Sequence, residues 1–164
     1  MNRIAVTCKT HFFLSFSMLE KLIEQCPEDI WDIKAGGFVF WQQILHTLTG
    51  ANFWMRQPGS DFKEPFAERA VYPELDQEPA GRVSREEMIL YKDTVKSLCE
   101  KLFEGRDDAW LTEPSGIYDR ISNLDVILGQ IRHIQYHVGH CNSILRDRGR
   151  KAVDWVEYFG EPVI

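Results

Sequence analysis

The sequence predicts an all-α protein, a four-helix bundle with a long crossover connection after helix two. Apolar residues recur at alternating spacings of three and four in four long segments, which is typical of helices that each bury one face. No segment shows the apolar–polar alternation of a half-buried strand. A chain of 164 residues has the length of one domain, so we interpret residues 1–164 as a single unit.

The first two predicted helices come before a segment rich in proline and glycine. Helix one covers residues 8–25 and ends before Pro27, because proline disfavours helical backbone at the residue that precedes it. Helix two covers residues 38–55, and its packing face consists of Trp41, Ile44, Leu48 and Met55. Prolines and glycines occur throughout residues 56–82 and interrupt every regular pattern of apolar residues there. A connection of this length can cross a bundle and let the two helices that it joins run parallel.

Capping residues indicate where the last two helices begin. Ser84 and Glu87 have the spacing of a capping box, in which two unpaired N–H groups of the first helical turn gain partners. Helix three therefore begins after Ser84 and ends near Gly105. Ser122 or Asn123 caps helix four.

Helix four contains three of the five histidines and ends at Gly149. His133, His137 and His140 lie at positions i, i+4 and i+7, so a helix places them on one side within about two turns. The packing stripe of the helix lies about 60–100° away from them. The imidazoles are therefore expected at the border of a cleft. The stripe consists of Leu124, Ile127, Ile131, Ile134, Val138, Cys141 and Leu145.

Two aromatic side chains in the C-terminal segment, Trp155 and Tyr158, are expected to pack back on the helices. The remaining histidine, His11, is interpreted as a surface or half-buried residue near the start of helix one.

The composition of the chain argues against two classes of protein, nucleic-acid-binding proteins and membrane-spanning proteins. A net charge of −6 and a pI near 5.4 argue against a nucleic-acid-binding protein, which usually has a basic patch. No run of 18 apolar residues occurs, which argues against a membrane span. The four cysteines, Cys8, Cys26, Cys99 and Cys141, form no CxxC pair, and this spread is typical of reduced thiols in a cytoplasmic protein.

The histidine spacing also favours a metal site. Imidazoles at i and i+4, as in His133 and His137, can converge on one ion, although this pair recurs by chance in helices. A third ligand must come from another element, and His46 on the inward-facing helix two is the candidate. Three neutral imidazoles leave a fourth position open, as in a catalytic zinc site.

At two places the sequence resembles the DinB/YfiT-like superfamily of bacterial metal-binding four-helix bundles. ILHTLTGANFW (44–54) resembles the second-helix segment of that superfamily, and HIQYHVGHCNSILRDRG (133–149) resembles its last-helix pattern. The resemblance implies that His46, His133 and His137 are the three metal ligands. His140 departs from the pattern, where glutamine is common. It is a candidate for a hydrogen-bond partner in the second shell, for an alternative ligand or for a polar residue at the rim of the bundle, and the first of these is slightly favoured.

The resemblance also implies a divalent metal ion, with zinc and nickel as the main candidates, and a homodimer. Characterised relatives include metal-dependent thiol transferases, a thiol-dependent isomerase and hydrolase-like proteins. The first hypothesis is therefore an enzyme that activates a low-molecular-weight thiol or water for reaction with a small-molecule substrate. The alternative is a non-catalytic bundle protein of the stress response that binds a metal or a small ligand.

The sequence identifies no catalytic residue. The polar candidates near the cleft are Gln42, Gln43, Asn52, Gln130 and Tyr136. No carboxylate lies within a turn of the histidine pair, so no general base can be named from spacing. The Glu-x-x-His motif of carboxylate-bridged di-iron bundles is absent from helix four.

Overall fold

The computed structural model describes residues 3–160 and shows a predominantly helical protein, as predicted. Two short 3₁₀ turns, at Ala67–Arg69 and Trp110–Thr112, lie in the connections. The helices and strands are α1 (Arg3–Gln25), α2 (Glu28–Trp31), β1 (Lys34–Ala35), β2 (Phe38–Val39), α3 (Phe40–Trp54), α4 (Arg85–Phe103) and α5 (Asn123–Asp147).

The four long helices pack so that each contacts two others. α1 and α3 both lie against α4 and against α5. The faces in contact are the apolar stripes, because helices gain most of their stability from burying one face against a neighbour. All four residues predicted for the packing face of α3 are at most 2% exposed: Trp41, Ile44, Leu48 and Met55.

Helix α1 begins at Arg3, five positions before the predicted start. The backbone N–H of Ala5 donates to the carboxylate of Asp108, at 2.8 Å, and the Ala5 side chain is buried. One of the free N–H groups in the first helical turn is therefore satisfied by a distant residue. A local pattern cannot show such a partner, which explains the error in the predicted boundary.

A small antiparallel hairpin, which the sequence did not predict, precedes α3. β1 pairs with β2 in the register Lys34 with Val39 and Ala35 with Phe38. Gly36 and Gly37 form the turn with φ of 63° and 95°, backbone angles that favour glycine and suit a two-residue hairpin. Each strand has two residues, too few to show alternation, and the hairpin delays the start of α3 until Phe40.

The predicted helix ends on α4 and α5 are confirmed. Ser84 and Glu87 form both hydrogen bonds of a capping box, at 3.2 and 3.0 Å. Ser122, rather than Asn123, caps α5 through the same arrangement with Asp125. Gly149 follows α5 with φ of 67°, as expected for a glycine that ends a helix.

The C-terminal segment is anchored at Val153, and the prediction for Trp155 is wrong. Asn142 on α5 bonds to both backbone polar groups of Val153, at 2.9 and 3.0 Å, and the Val153 side chain is buried. Trp155 is 70% exposed. Tyr158 does contact α1, since its ring lies edge-on to the exposed ring of His11 with centroids 5.1 Å apart. The anchor is a polar side chain on α5, so the size of the aromatic residues in the segment did not reveal it.

Within residues 3–160, none of the helices combines the length and the apolar character that crossing a membrane requires.

Candidate metal centre

Three histidines converge where α3 packs against α5. His46 comes from α3, and His133 and His137 come from successive turns of α5. One ring nitrogen of each lies within 4.8 Å of the others, and the ring centroids are 4.7 to 4.9 Å apart. The three side chains predicted as ligands are therefore close enough to bind one metal ion.

The close approach of the two helices depends on a glycine. A methyl group at Gly50 would lie 2.6 Å from Cε1 of His133 and 3.0 Å from its Nδ1. Gly50 is one turn after His46 on α3, so it faces the same side of the helix. The missing side chain leaves the space that the His133 ring occupies.

The orientation of His46 is determined by a backbone carbonyl of the long connection. Nδ1 of His46 lies 2.7 Å from the carbonyl oxygen of Pro73. A carbonyl can only accept, so Nδ1 carries the proton and donates it. Nε2 of His46 then carries a lone pair, which faces Nε2 of His133. This is the arrangement seen when a second partner orients a metal-ligating histidine.

The separation of two ligand nitrogens suits a shared ion. Nε2 of His133 lies 3.0 Å from Nε2 of His46. With metal–nitrogen bonds of about 2.0–2.1 Å, nitrogens at tetrahedral angles are about 3.3 Å apart. The observed distance is close to that value, so these two nitrogens fit a shared ion, and the His137 ring nitrogen lies within 4.8 Å of both.

Burial keeps the α5 pair neutral. Desolvation, followed by the charge of His46, lowers the pKa of His133 to about 4. Desolvation, followed by His46, His133 and His140, lowers the pKa of His137 to about 3. Both imidazoles are therefore neutral near pH 7, and the neutral imidazole is the form that binds metal ions.

His140 lies outside the cluster, beside the turn of the β1–β2 hairpin. A methyl group at Gly36 would lie 2.1 Å from Nε2 of His140, so the ring packs directly on this glycine. Among the residues that the structure describes, no hydrogen bond joins His140 to the three clustered histidines. Its second-shell role stays a prediction.

The polar side chains that the sequence suggested for the cleft lie in different environments. Gln42 and Gln43 donate to backbone carbonyls, and Asn52 donates to a tyrosine hydroxyl on α4. Tyr136 is 70% exposed, with its ring centroid 5.0 Å from that of His137. Gln130 is buried, and its Oε1 would lie 3.7 Å from a methyl group at Gly50, the position that His133 also packs against.

A cleft of about 300 Å³ opens next to His46. Phe53, Trp54 and Phe62 form an aromatic wall, and Glu74 also lines the cleft. Sequence reasoning did not identify Pro73, Glu74 or Gly50. The first two lie in a connection without periodicity, and the only available signal for Gly50 was a glycine within a helical pattern.

The four cysteines are poor nucleophiles. All four are free and buried. Desolvation, the largest cause in each case, raises the pKa of Cys26 and Cys141 to about 12 and also raises the pKa of Cys8 and Cys99. Because the thiolate is the reactive form, a reacting thiol would have to come from a substrate.

Comparisons with protein-family models, with curated proteins and with solved structures found no match for this chain. A functional assignment therefore depends on the geometry of the site and on the resemblance of two helical segments described above.

The role of Gly50 can be tested by adding one methyl group. In Gly50→Ala the new Cβ displaces the His133 ring, so we expect divalent-metal affinity to fall at least about tenfold while the protein stays folded. Gly139→Ala is the matched control, because nothing lies within 4 Å of the added methyl group. It should leave metal affinity unchanged and raise stability by up to about 1 kcal/mol. Calorimetric metal titration and urea unfolding measure the two effects, and equal metal affinity in both variants would contradict the assignment.

The metal-free protein should lose stability as the pH falls below about 6.5. Unfolded histidines take up protons near 6.5, whereas folded His133 and His137 resist protonation down to about 4 and about 3. The unfolded chain therefore binds more protons in this window, and the free energy of unfolding decreases with decreasing pH. Urea unfolding after removal of metal by a chelator measures the slope between pH 7 and 4. A His133→Gln/His137→Gln double variant should show a shallower slope, and an unchanged slope would contradict this origin.

Proposed function

We propose that this chain is a metal-dependent enzyme of the DinB/YfiT-like superfamily, in which His46, His133 and His137 hold a divalent ion that activates a thiol or water. The convergence of three imidazoles beside a cleft carries the proposal. The reaction class is thiol transfer or hydrolysis.

The helical packing supports the family proposal. α1 and α3 each lie against α4 and α5, as expected for a four-helix bundle. In the proposed architecture, residues 55–84 are the crossover connection that joins α3 to α4. This connection also contributes Pro73 and Glu74 to the site, and it has to be long enough to reach His46 and the cleft.

Zinc or nickel is the proposed ion. The donor set consists of three imidazole nitrogens and includes no carboxylate or thiolate ligand among the described residues. Imidazole ligands suit both metals, and three protein ligands leave a coordination position for a reactant.

The histidines, the carboxylate and the aromatic side chains have different roles in the proposed reaction. His46, His133 and His137 would hold the divalent ion, which would supply the Lewis acidity that lowers the pKa of a thiol or water. Glu74 lies at the cleft and accepts the proton that this group loses. The wall of Phe53, Trp54 and Phe62 binds the apolar part of a substrate and excludes water.

The resemblance supports two further parts of the proposal. A low-molecular-weight thiol is the proposed co-substrate, and the raised pKa of all four cysteines agrees with a thiol that comes from outside the chain. A homodimer is the proposed assembly.

The metal site is tested by elemental analysis of protein purified without a histidine tag. We expect one divalent ion per chain, lost in His133→Ala because only two ligands remain. His11→Ala is the matched control, since His11 is an exposed histidine outside the cluster. Full occupancy in His133→Ala would refute the three-histidine site.

The proposed base is tested in a thiol-transfer assay with a panel of low-molecular-weight thiols. Glu74→Gln keeps the size of the side chain and removes its basicity, so we expect kcat to fall about 10²–10⁴-fold with the metal content unchanged. Asp76→Asn is the control, because this exposed carboxylate lies in the same segment but outside the cleft. Equal activity of the two variants would refute the role of Glu74. No activity with any thiol would favour the non-catalytic binding protein.

A further inference from the structure

A buried glutamine on α3 binds the long connection at several points. Nε2 of Gln42 donates to the carbonyl oxygens of Tyr72 and Gln77, each at 2.9 Å, and lies 3.3 Å from the carbonyl oxygen of Val71. The amide has two hydrogens, so the two short contacts take one each and the longer one is shared. Gln42 is fully buried, and its contacts are therefore protected from competing water. One side chain thus holds residues 71–77, called here the 71–77 segment.

The same segment contains the carbonyl that orients a metal ligand. Pro73 lies between the carbonyls that Gln42 holds, and its own oxygen accepts from Nδ1 of His46. Gln42 and His46 are four residues apart on α3, so they project from the same face of the helix. Two neighbouring side chains of one helix therefore bind the segment: His46 contacts the carbonyl of Pro73 itself, and Gln42 binds carbonyls before and after it.

The backbone of the segment does not hold this shape by local preference. Tyr72 and Leu75, on either side of Pro73, have φ of 49° and 62°, and Ala70 just before them has φ of 52°. Residues with a side chain rarely adopt such angles, and they persist only where surrounding contacts impose them. The contacts of Gln42 are among the buried contacts that hold this backbone, together with that of His46 to Pro73.

We propose that Gln42 is a positioning residue for the metal centre: it holds the 71–77 segment so that the Pro73 carbonyl keeps the proton of His46 on Nδ1 and leaves Nε2 for the ion. This inference rests on the proposed function, since it assumes that His46 binds a metal. Gln42 acts through the backbone and touches neither the ion nor a substrate. The segment also carries Glu74, so the same contacts place the proposed base at the cleft.

The tautomer of His46 in the metal-free wild-type protein is the first test. After removal of metal by a chelator, long-range proton–nitrogen NMR spectra distinguish a protonated Nδ1 from a protonated Nε2. We expect Nδ1–H as the single form of His46. A predominant Nε2–H form would overturn the inference, and this result depends on no variant being folded.

The second test removes the amide of Gln42. Gln42→Met keeps the length of the side chain but cannot donate, so we expect a mixture of His46 tautomers and a Zn²⁺ dissociation constant about 10–100-fold higher. Gln43→Met is the matched control, because Gln43 is equally buried on α3 but donates to Ala35 in the hairpin. It should keep the Nδ1–H tautomer and the wild-type affinity. Equal Zn²⁺ affinity in the two variants would overturn the inference.

Failure of this inference is distinguishable from failure of the proposed function. If wild-type protein binds one Zn²⁺ and loses it in His133→Ala, but Gln42→Met binds as tightly as Gln43→Met, the metal site stands and the role of Gln42 is refuted. If His133→Ala keeps its metal, the metal site itself is refuted, whatever the tautomer of His46.

Discussion

The packing of α3 against α5 is the contact on which the candidate site depends. Neither helix contains all three candidate ligands, since α5 provides two histidines on successive turns and α3 provides one. The rings meet only because Gly50 lets the His133 ring lie against the α3 backbone. Burial at the same contact removes water from the α5 histidines and lowers their pKa, so the packing that assembles the donors also keeps them neutral. Geometry and protonation state therefore have one cause.

The long connection acts as a third structural element of the site. A carbonyl of irregular backbone can accept from His46 because it is not engaged in a helix, so a loop can do here what a helical residue could not. The left-handed backbone at Tyr72 and Leu75 costs conformational free energy, on the order of 1–3 kcal/mol for each residue. Buried hydrogen bonds from Gln42 offset part of that cost. A strained segment next to the cluster, held by a buried amide, is the pattern expected where a precise carbonyl position matters.

The features that the sequence predicted are those encoded by residues close together in the chain. The apolar spacing and the capping boxes at Ser84 and Ser122 locate the helices, and the i, i+4 spacing places His133 and His137 on one face. The pairing with His46 required the resemblance to a known family as well as the spacing. Features that depend on distant partners were missed or wrong.

Three examples show why those features were beyond a sequence pattern. Helix α1 starts early because Asp108, 103 positions further along the chain, accepts from the backbone N–H of Ala5 in its first turn. The C-terminal segment is held at Val153 by Asn142 while Trp155 is exposed, and a polar anchor leaves no hydrophobic signal. Pro73 matters through its carbonyl, which every residue has, so no residue type in the sequence could mark it.

The proposed ligands carry no charge, whereas a carboxylate lies nearby in the cleft. Three imidazoles bring no charge, so a divalent ion at the centre would keep its full double charge and act as a strong Lewis acid. Neutral ligands attract such an ion less at a distance than carboxylates do. Glu74 supplies negative charge at the cleft, and burial followed by the charge of Glu74 raises the pKa of Glu64. A cation in the cluster would relieve that repulsion, so the carboxylates favour entry of the ion without weakening its acidity as direct ligands would.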